Sequence, residues 1–313
     1  MTTPVPSRAF PKMAAPDFTR DLDLTLEELN ALLDLTAQVK SHPEQYSRAL
    51  ASRYASVLFE KPSLRTRLTF ELAVKQLGGD CVFSAGPIGG REPIKDVARN
   101  LERWTQVIVA RTFSQRTIDE LARWSSVPVI NALSDLYHPC QALADIFTLK
   151  ERCGKLAGLK LAFVGDGNNV ANSLMLTCAR LGVNFAIATP RGYEPKTRIV
   201  SQALELAAET GANLTAAHDA EATVSGADAV YTDVWASMGQ EEEAAQRRVD
   251  FQPYQVNEQL MALAKPDAIF MHCLPAKRGE EVTDAVIESK QSAVFDQAEN
   301  RLHTQKALLL MLL

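Results

Sequence analysis

The sequence predicts an α/β protein of two domains, each a parallel sheet with helices on both faces. Two observations carry this. Short apolar runs alternate with amphipathic helical stretches from residue 54 to about residue 275, the grammar of a helix-covered parallel sheet. The alternation occurs twice, with a join near 145–155, and 313 residues are enough for two domains of ordinary size.

A helix comes first. DLTLEELNALLDLTAQVK at 23–40 has helical apolar spacing behind Thr25, with Glu28 three residues on, a capping box. YASVLFE (54–60) reads as a buried strand, TRLTFELAVKQL (66–77) as a helix closed by Gly78-Gly79, and CVFSA (81–85) as a short strand. After the loop GPIGGRE come a helix from Ile94 to Trp104, the strand QVIVAR (106–111), a helix at 117–125 and the strand VPVINAL (127–133). Pro139 starts a long helix that Gly154 closes. The second half repeats the pattern with strand 159–165, helix 169–182, strand 184–190, a helix near 195–210, and strands 228–235 and 268–275. The final QKALLLMLL is apolar enough for a packed helix.

Composition excludes several classes. A net charge of -5 argues against a general nucleic-acid binder, so any anion site is local. Five Cys without paired spacing argue against a disulfide framework or zinc site, and for a reducing, cytoplasmic setting. No apolar run approaches the ~20 residues of a membrane span. The N-terminal stretch lacks the apolar core of a secretory signal, its prolines disfavour a transit helix, and a flexible tail is expected.

Four strand ends carry chemistry. FEKPSLRTR (59–67) puts Lys61, Arg65 and Arg67 beside Ser63 and Thr66 where a strand meets a helix. Free N–H groups and the dipole at a helix start attract an anion, and Arg65 can grip phosphate oxygens in a fork. The GxxxxGK[ST] pattern is absent, so a nucleotide loop is not indicated. Ser63 as a simple N-cap beside solvated arginines explains the same residues. In HPCQ (138–141), His138 can donate to a developing oxyanion and Gln141 can bind an amide, or His138 is a packed loop residue. GDGNN (165–169) suggests a dinucleotide turn, but Val170 stands in place of the third glycine and NFAIATP supplies no acid. A nicotinamide enzyme is therefore the weaker reading. Asn168 and Asn169 either satisfy local backbone groups or hold a polar substrate. Asp233, in DVWASMGQE, can hold an ammonium group, and Cys273, in HCLP, is a nucleophile or an inert buried thiol.

From about residue 20 to residue 313 the motifs FEKPSLRTRLTFE, HPCQALAD, FVGDGNN, YTDVWASMGQE, MHCLPAKRGEEVTD and DQAENRLH follow one another. In this order they resemble the aspartate/ornithine carbamoyltransferase family and, within it, the ornithine-using branch. The resemblance implies transfer of the carbamoyl group of carbamoyl phosphate to the δ-amine of L-ornithine, giving L-citrulline and phosphate in arginine metabolism. It implies direct attack, with no metal, other cofactor or covalent intermediate. Carbamoyl phosphate would be bound by Ser63, Leu64, Arg65, Thr66, Arg111, His138, Gln141, Cys273, Leu274 and Arg301. Ornithine would be bound by Asn169, Asp233, Ser237 and Met238, the last through its backbone N–H. Arg65, Arg111, His138, Asp233 and Cys273 would carry catalysis.

The resemblance also implies a first domain at 1–148, a second at 149–296, and a C-terminal helix at 297–313 returning to the first. The unit would be a homotrimer or a multiple of trimers, binding neither nucleic acid nor membrane, with a neighbour's loop reaching each phosphate pocket. Three positions depart from the family pattern. Pro87 stands where many members carry Gln in that loop, Leu64 where Thr is common, and Lys277 where His is frequent. An aspartate-using member would show HPLP rather than HCLP, and SMG argues against acetylornithine and putrescine enzymes. A catalytically idle relative is the non-enzyme alternative.

Overall fold

The structure, a computed structural model, describes residues 10–237 and 240–313. Its strands form two all-parallel sheets. The first contains β1 (Tyr54–Phe59), β2 (Asp80–Ala85), β3 (Val107–Arg111) and β4 (Val129–Leu133), in the order β2-β1-β3-β4. The second contains β5 (Lys160–Val164), β6 (Asn184–Ala188), β7 (Leu214–Ala217), β8 (Ala229–Thr232) and β9 (Ile269–His272), in the order β7-β6-β5-β8-β9.

Successive strand residues point to opposite faces, and both faces are covered. In the first sheet Val57, Val107 and Val109 join one apolar cluster, while Leu58, Ile108 and Ala110 join another. In the second, Leu161, Phe163 and Tyr231 lie on one side and Ala162, Val164 and Val230 on the other. The expected helices on both faces are there. The C-terminal helix, Val294–Leu312, buries Ala307 to Met311 in the first sheet's core, beside Leu29, Leu32 and Phe70.

Each sheet reverses its winding direction once. In the first, β1 leads outward to β2 while β3 starts the other way; in the second, β5 leads to β6 while β8 starts the other way. The crevice beyond the carboxyl ends of such a strand pair is where open sheets receive ligands. FEKPSLRTR follows β1 and Arg111 ends β3, while GDGNN follows β5 and Asp233 follows β8.

Some boundaries differ from the sequence reading. The helix after β1 starts at Leu64 rather than Thr66, because Ser63 caps it. The last two strands stop at Thr232 and His272 instead of running to 235 and 275. Beyond those points side chains take over the backbone's hydrogen bonds: Asp233 accepts the Val234 N–H and His272 accepts the Leu274 N–H. The edge strand β7 has no apolar run to mark it, and its half-exposed LTAA pairs only with β6. Among the described residues no helix is long and apolar enough to cross a membrane.

Candidate active site

A cavity of about 410 Å³ lies between the two sheets' carboxyl edges. One wall comes from the β1 turn. Ser63 Oγ accepts the Thr66 N–H at 3.3 Å and caps the helix Leu64–Gln76, so the capping reading of this turn holds. Several cationic and hydroxyl donors also gather at it. Arg111 Nη1 and Arg301 Nη2 donate to Thr66 Oγ1 at 3.4 and 2.7 Å, and Ser63 Oγ lies 3.0 Å from the same oxygen. Arg65 lines the cavity with them. Arg67 does not: it pairs with Glu71 at 2.8 Å and lies 3.9 Å over the Phe83 ring, on the outer face of its helix.

This wall is strongly positive. Among the described residues Arg65, Arg111 and Arg301 are in no ion pair, and the Nε atoms of Arg111 and Arg301 are buried without a partner. Burial, with Arg301 adjacent, pulls Arg111 down to about 10; burial also lowers Arg301 and Arg65 from their usual range. His138, the residue before the Pro139–Cys153 helix, is buried. Its backbone N–H donates to Ser173 Oγ at 3.0 Å. Burial, Arg301 and Arg111 hold its ring well below the ordinary histidine pKa, so the imidazole is neutral near pH 7. Its Nδ1 has no partner.

The opposite wall is built around Asp233, which is 6% exposed. Asn168 Nδ2 donates to Oδ2 at 2.8 Å, and the Cys273 thiol and Val234 N–H donate to Oδ1 at 3.1 and 2.8 Å. Asn168 also caps the next helix through Val170 and Ala171, so it satisfies local backbone and holds the acid. Asn169 spans the cleft floor, its Nδ2 donating to the Ser134 carbonyl at 2.7 Å. Burial and the Asp233 carboxylate push the Cys273 thiol well above its usual range. That fits a protonated donor rather than a nucleophile.

Ser63, Leu64, Arg65, Thr66, Arg111, His138, Asn169, Asp233, Ser237, Cys273, Leu274 and Arg301 all line this cavity, as does Lys277. Gln141 does not line it. Its Nε2 donates to buried Asp145 at 2.7 Å and its Oε1 is buried without a partner. Met238 lies outside the described residues. Pro87 is exposed in the loop after β2 and does not line the cavity. The donor atoms of Asp233, His272 and Cys273 come within 4.8 Å of one another, a spacing a metal ion could use. Both His272 ring nitrogens are already hydrogen-bonded, however, so the trio is not a ready ligand set.

A Cβ at Gly167 would meet the Pro195 nitrogen at 2.3 Å, so this glycine serves a chain crossing and needs no dinucleotide to explain it.

The comparisons agree with this geometry. The carbamoyl-P binding domain of the aspartate/ornithine carbamoyltransferase family matches residues 17–151, and that family's Asp/Orn binding domain matches 157–312. The chain is 50% identical over 299 residues to the ornithine carbamoyltransferase of Acidothermus cellulolyticus, covering 95% of this chain and 96% of that one. Among solved structures, ornithine carbamoyltransferase from Pyrococcus furiosus superposes with a TM-score of 0.92 at 47% identity, covering 95% and 97% of the two chains.

The chain belongs to the aspartate/ornithine carbamoyltransferase family. The family is not uniform in substrate: an acetylornithine transcarbamylase complexed with acetylcitrulline superposes with a TM-score of 0.86 at 32% identity, covering 95% of this chain and 99% of that one.

Two supports of this carbamoyltransferase cleft were not legible in the sequence. Arg247 is buried, paired with Asp166 at 2.9 Å and donating to the Trp235 carbonyl at 3.0 Å, which ties the Asp233–Ser237 segment to the β5 turn. Asp145 bridges the two sheets' supports. It accepts from Gln141 at 2.7 Å, from Gln297 of the C-terminal helix at 2.6 Å and from the Tyr231 hydroxyl of β8 at 3.1 Å. Nothing in local spacing marks either contact; both join residues 80 or more positions apart.

Burial raises Asp145 from 3.8 to about 7. Between those values folding must take up a proton that the unfolded chain has released, which costs progressively more as pH rises; above about 7 the ionised group's burial penalty is complete. This group's contribution to stability therefore falls as pH rises from about 4 to 7. Asp145→Asn keeps an acceptor and cannot titrate. In urea titrations at about pH 5 and pH 8, the wild type should lose more stability on going to the higher pH than the variant does. Equal losses would contradict a raised Asp145.

Proposed function

We propose that this chain transfers the carbamoyl group of carbamoyl phosphate to the δ-amine of L-ornithine, producing L-citrulline and phosphate. One observation carries the reading: three guanidinium groups without a protein anion face a buried carboxylate across a single cavity. A dianionic acyl phosphate suits the first wall and a basic amine the second. The names of the close relatives point the same way. Asp233 favours a substrate with a free amine; because acetylornithine carries the same δ-amine, it is the relatives' names that favour ornithine over it.

In this mechanism the Ser63–Thr66 turn and Arg65 bind the phosphate. Arg111, Arg301 and neutral His138 polarise the carbamoyl carbonyl, with the Leu274 carbonyl holding its amide end. Asn169, Ser237, the Met238 N–H and Asp233 hold ornithine, and the protonated Cys273 thiol keeps Asp233 oriented. The neutral δ-amine attacks the carbonyl carbon, a C–N bond forms, and charge collects on an oxygen surrounded by fixed donors. The C–O bond to phosphate then breaks, and the amine's proton leaves with the phosphate. Holding the two reactants together supplies much of the acceleration. The unit is a homotrimer in the cytoplasm. Leu64, Leu68 and Leu72 form an exposed stripe along the helix after β1, and Val82 is exposed on edge strand β2, apolar surface that suits a subunit interface, and five unpaired cysteines suit a reducing compartment.

Purified protein with both substrates should yield citrulline, while acetylornithine, putrescine and aspartate should yield no product. Product from one of those instead would overturn the assignment of ornithine. Arg65→Ala should weaken carbamoyl phosphate use by roughly 2–5 kcal/mol, and Asp233→Asn should raise the ornithine KM while sparing carbamoyl phosphate; two variants acting on the same substrate would contradict separate walls. Because a free δ-amine titrates near ~10.4, and neither His138 nor Cys273 changes charge near neutrality, kcat/KM for ornithine should rise from about pH 6 to pH 9. A flat profile would count against attack by the neutral amine. Leu68→Glu combined with Val82→Glu should convert trimers to monomers in sedimentation runs; an unchanged mass would move the interface elsewhere.

A further inference from the structure

His272 and Glu281 form a pair whose side chains are wholly buried, and the mechanism above uses neither. His272 ends β9, and the residues after it make cavity wall: Cys273, Leu274, Pro275 and Lys277. Leu274 has φ +56, a left-handed conformation that costs a residue with a Cβ about 1 kcal/mol or more. Such a conformation persists only where surrounding bonds hold it. The bond that does so here is from the Leu274 N–H to His272 Nδ1, at 2.8 Å.

The ring's other nitrogen fixes its state. His272 Nε2 lies 3.0 Å from Glu281 Oε1, and the same oxygen accepts the Lys277 N–H at 2.6 Å. Nδ1 accepts a hydrogen bond and therefore carries no proton, so Nε2 carries the ring's one N–H and donates it to the carboxylate. From the other side, Gln297 Oε1 accepts the His272 backbone N–H at 3.0 Å. The pair thus ties the two ends of the 272–281 loop to each other, and the His272 backbone ties that loop to the C-terminal helix.

We propose that His272 is a positioning residue for carbamoyl transfer, holding Leu274 in its cavity-lining conformation through the Nδ1 bond while Glu281 fixes the ring's tautomer. The inference deepens the functional reading above and rests on its assignment of the Leu274 carbonyl to the transferring group.

Two substitutions separate the ring's two bonds. In H272N the amide oxygen sits where Nδ1 does and can accept an N–H two residues on. In H272Q the amide nitrogen reaches toward the Nε2 position and keeps the Glu281 bond, but loses the Leu274 acceptor. Citrulline formation by the full-length protein should be nearly retained in H272N and fall about tenfold or more in kcat in H272Q, the loss expected when a buried N–H is left unpaired. Carbamoyl phosphate binding should be nearly unchanged in H272N and weakened in H272Q, because the Leu274 carbonyl holds its amide end. Equal losses in the two variants would overturn the proposal and leave His272 a packing residue. A wild type that makes no citrulline would instead sink the functional reading. In that case, or if a variant fails to fold, the ¹⁵N shifts of the wild-type imidazole decide, with His272 assigned by its absence from a variant's spectrum or by selective labelling. A neutral Nε2–H ring supports the proposal; an Nδ1–H ring or an imidazolium overturns it.

Discussion

The constraint on which this structure turns is buried positive charge without a protein counterion. Removing a guanidinium from water costs several kcal/mol unless something compensates. Arg301 is buried and Arg111 partly so, yet among the described residues each side chain donates only to the neutral Thr66 hydroxyl. With Ser63 also beside that oxygen, more donors converge on it than its two lone pairs can receive. An arrangement so short of acceptors is organised for an anion that arrives from outside. The fold pays for holding it by anchoring each cation on a different rigid element: Arg65 on a helix start, Arg111 on a strand end and Arg301 on the C-terminal helix. That explains why the last helix returns to the first sheet. Without it the wall would lack its most deeply buried guanidinium.

The same positive field shapes its neighbours. It keeps His138 neutral, so the ring can serve as a polar donor without adding a fourth cation. On the facing wall the reverse logic holds. Buried carboxylate charge at Asp233 helps to keep the Cys273 thiol protonated and donating. Asp145 lies behind both walls and joins the helix that carries His138 to β8 and to the C-terminal helix. Positions of opposing groups across the cleft therefore depend on one buried acid and the amides around it.

The sequence shows the scaffold more clearly than it shows this wiring. Strands rich in Val, Ile and Leu, the Thr25–Glu28 capping box and the left-handed Gly154 stop are local signals, and the structure has each of them. The strand-end motifs likewise locate the cavity, because parallel topology brings strand ends together. Three details escape that reading although their partners are close in sequence. Arg67 sits in the same motif as Arg65 but faces Glu71 and Phe83, since helical spacing turns it outward. Gln141 is one helical turn from His138, yet Asp145 takes its amide. Strands β8 and β9 end earlier than their apolar runs because Asp233 and His272 replace strand pairing with side-chain bonds.

Asp233 illustrates how such wiring becomes selectivity. An ionised carboxylate offers about four acceptor directions. Asn168, Cys273 and the Val234 N–H already occupy three of them. A fully open carboxylate would bind any cation and would strongly stabilise the protonated amine, which cannot attack. A carboxylate with one direction left can receive a single N–H, which orients a nitrogen while much of its negative charge is already shared with the protein's own donors. The three internal bonds to Asp233 thus tune it for holding an amine in place rather than for trapping an ammonium ion, and the reaction needs the amine's lone pair free.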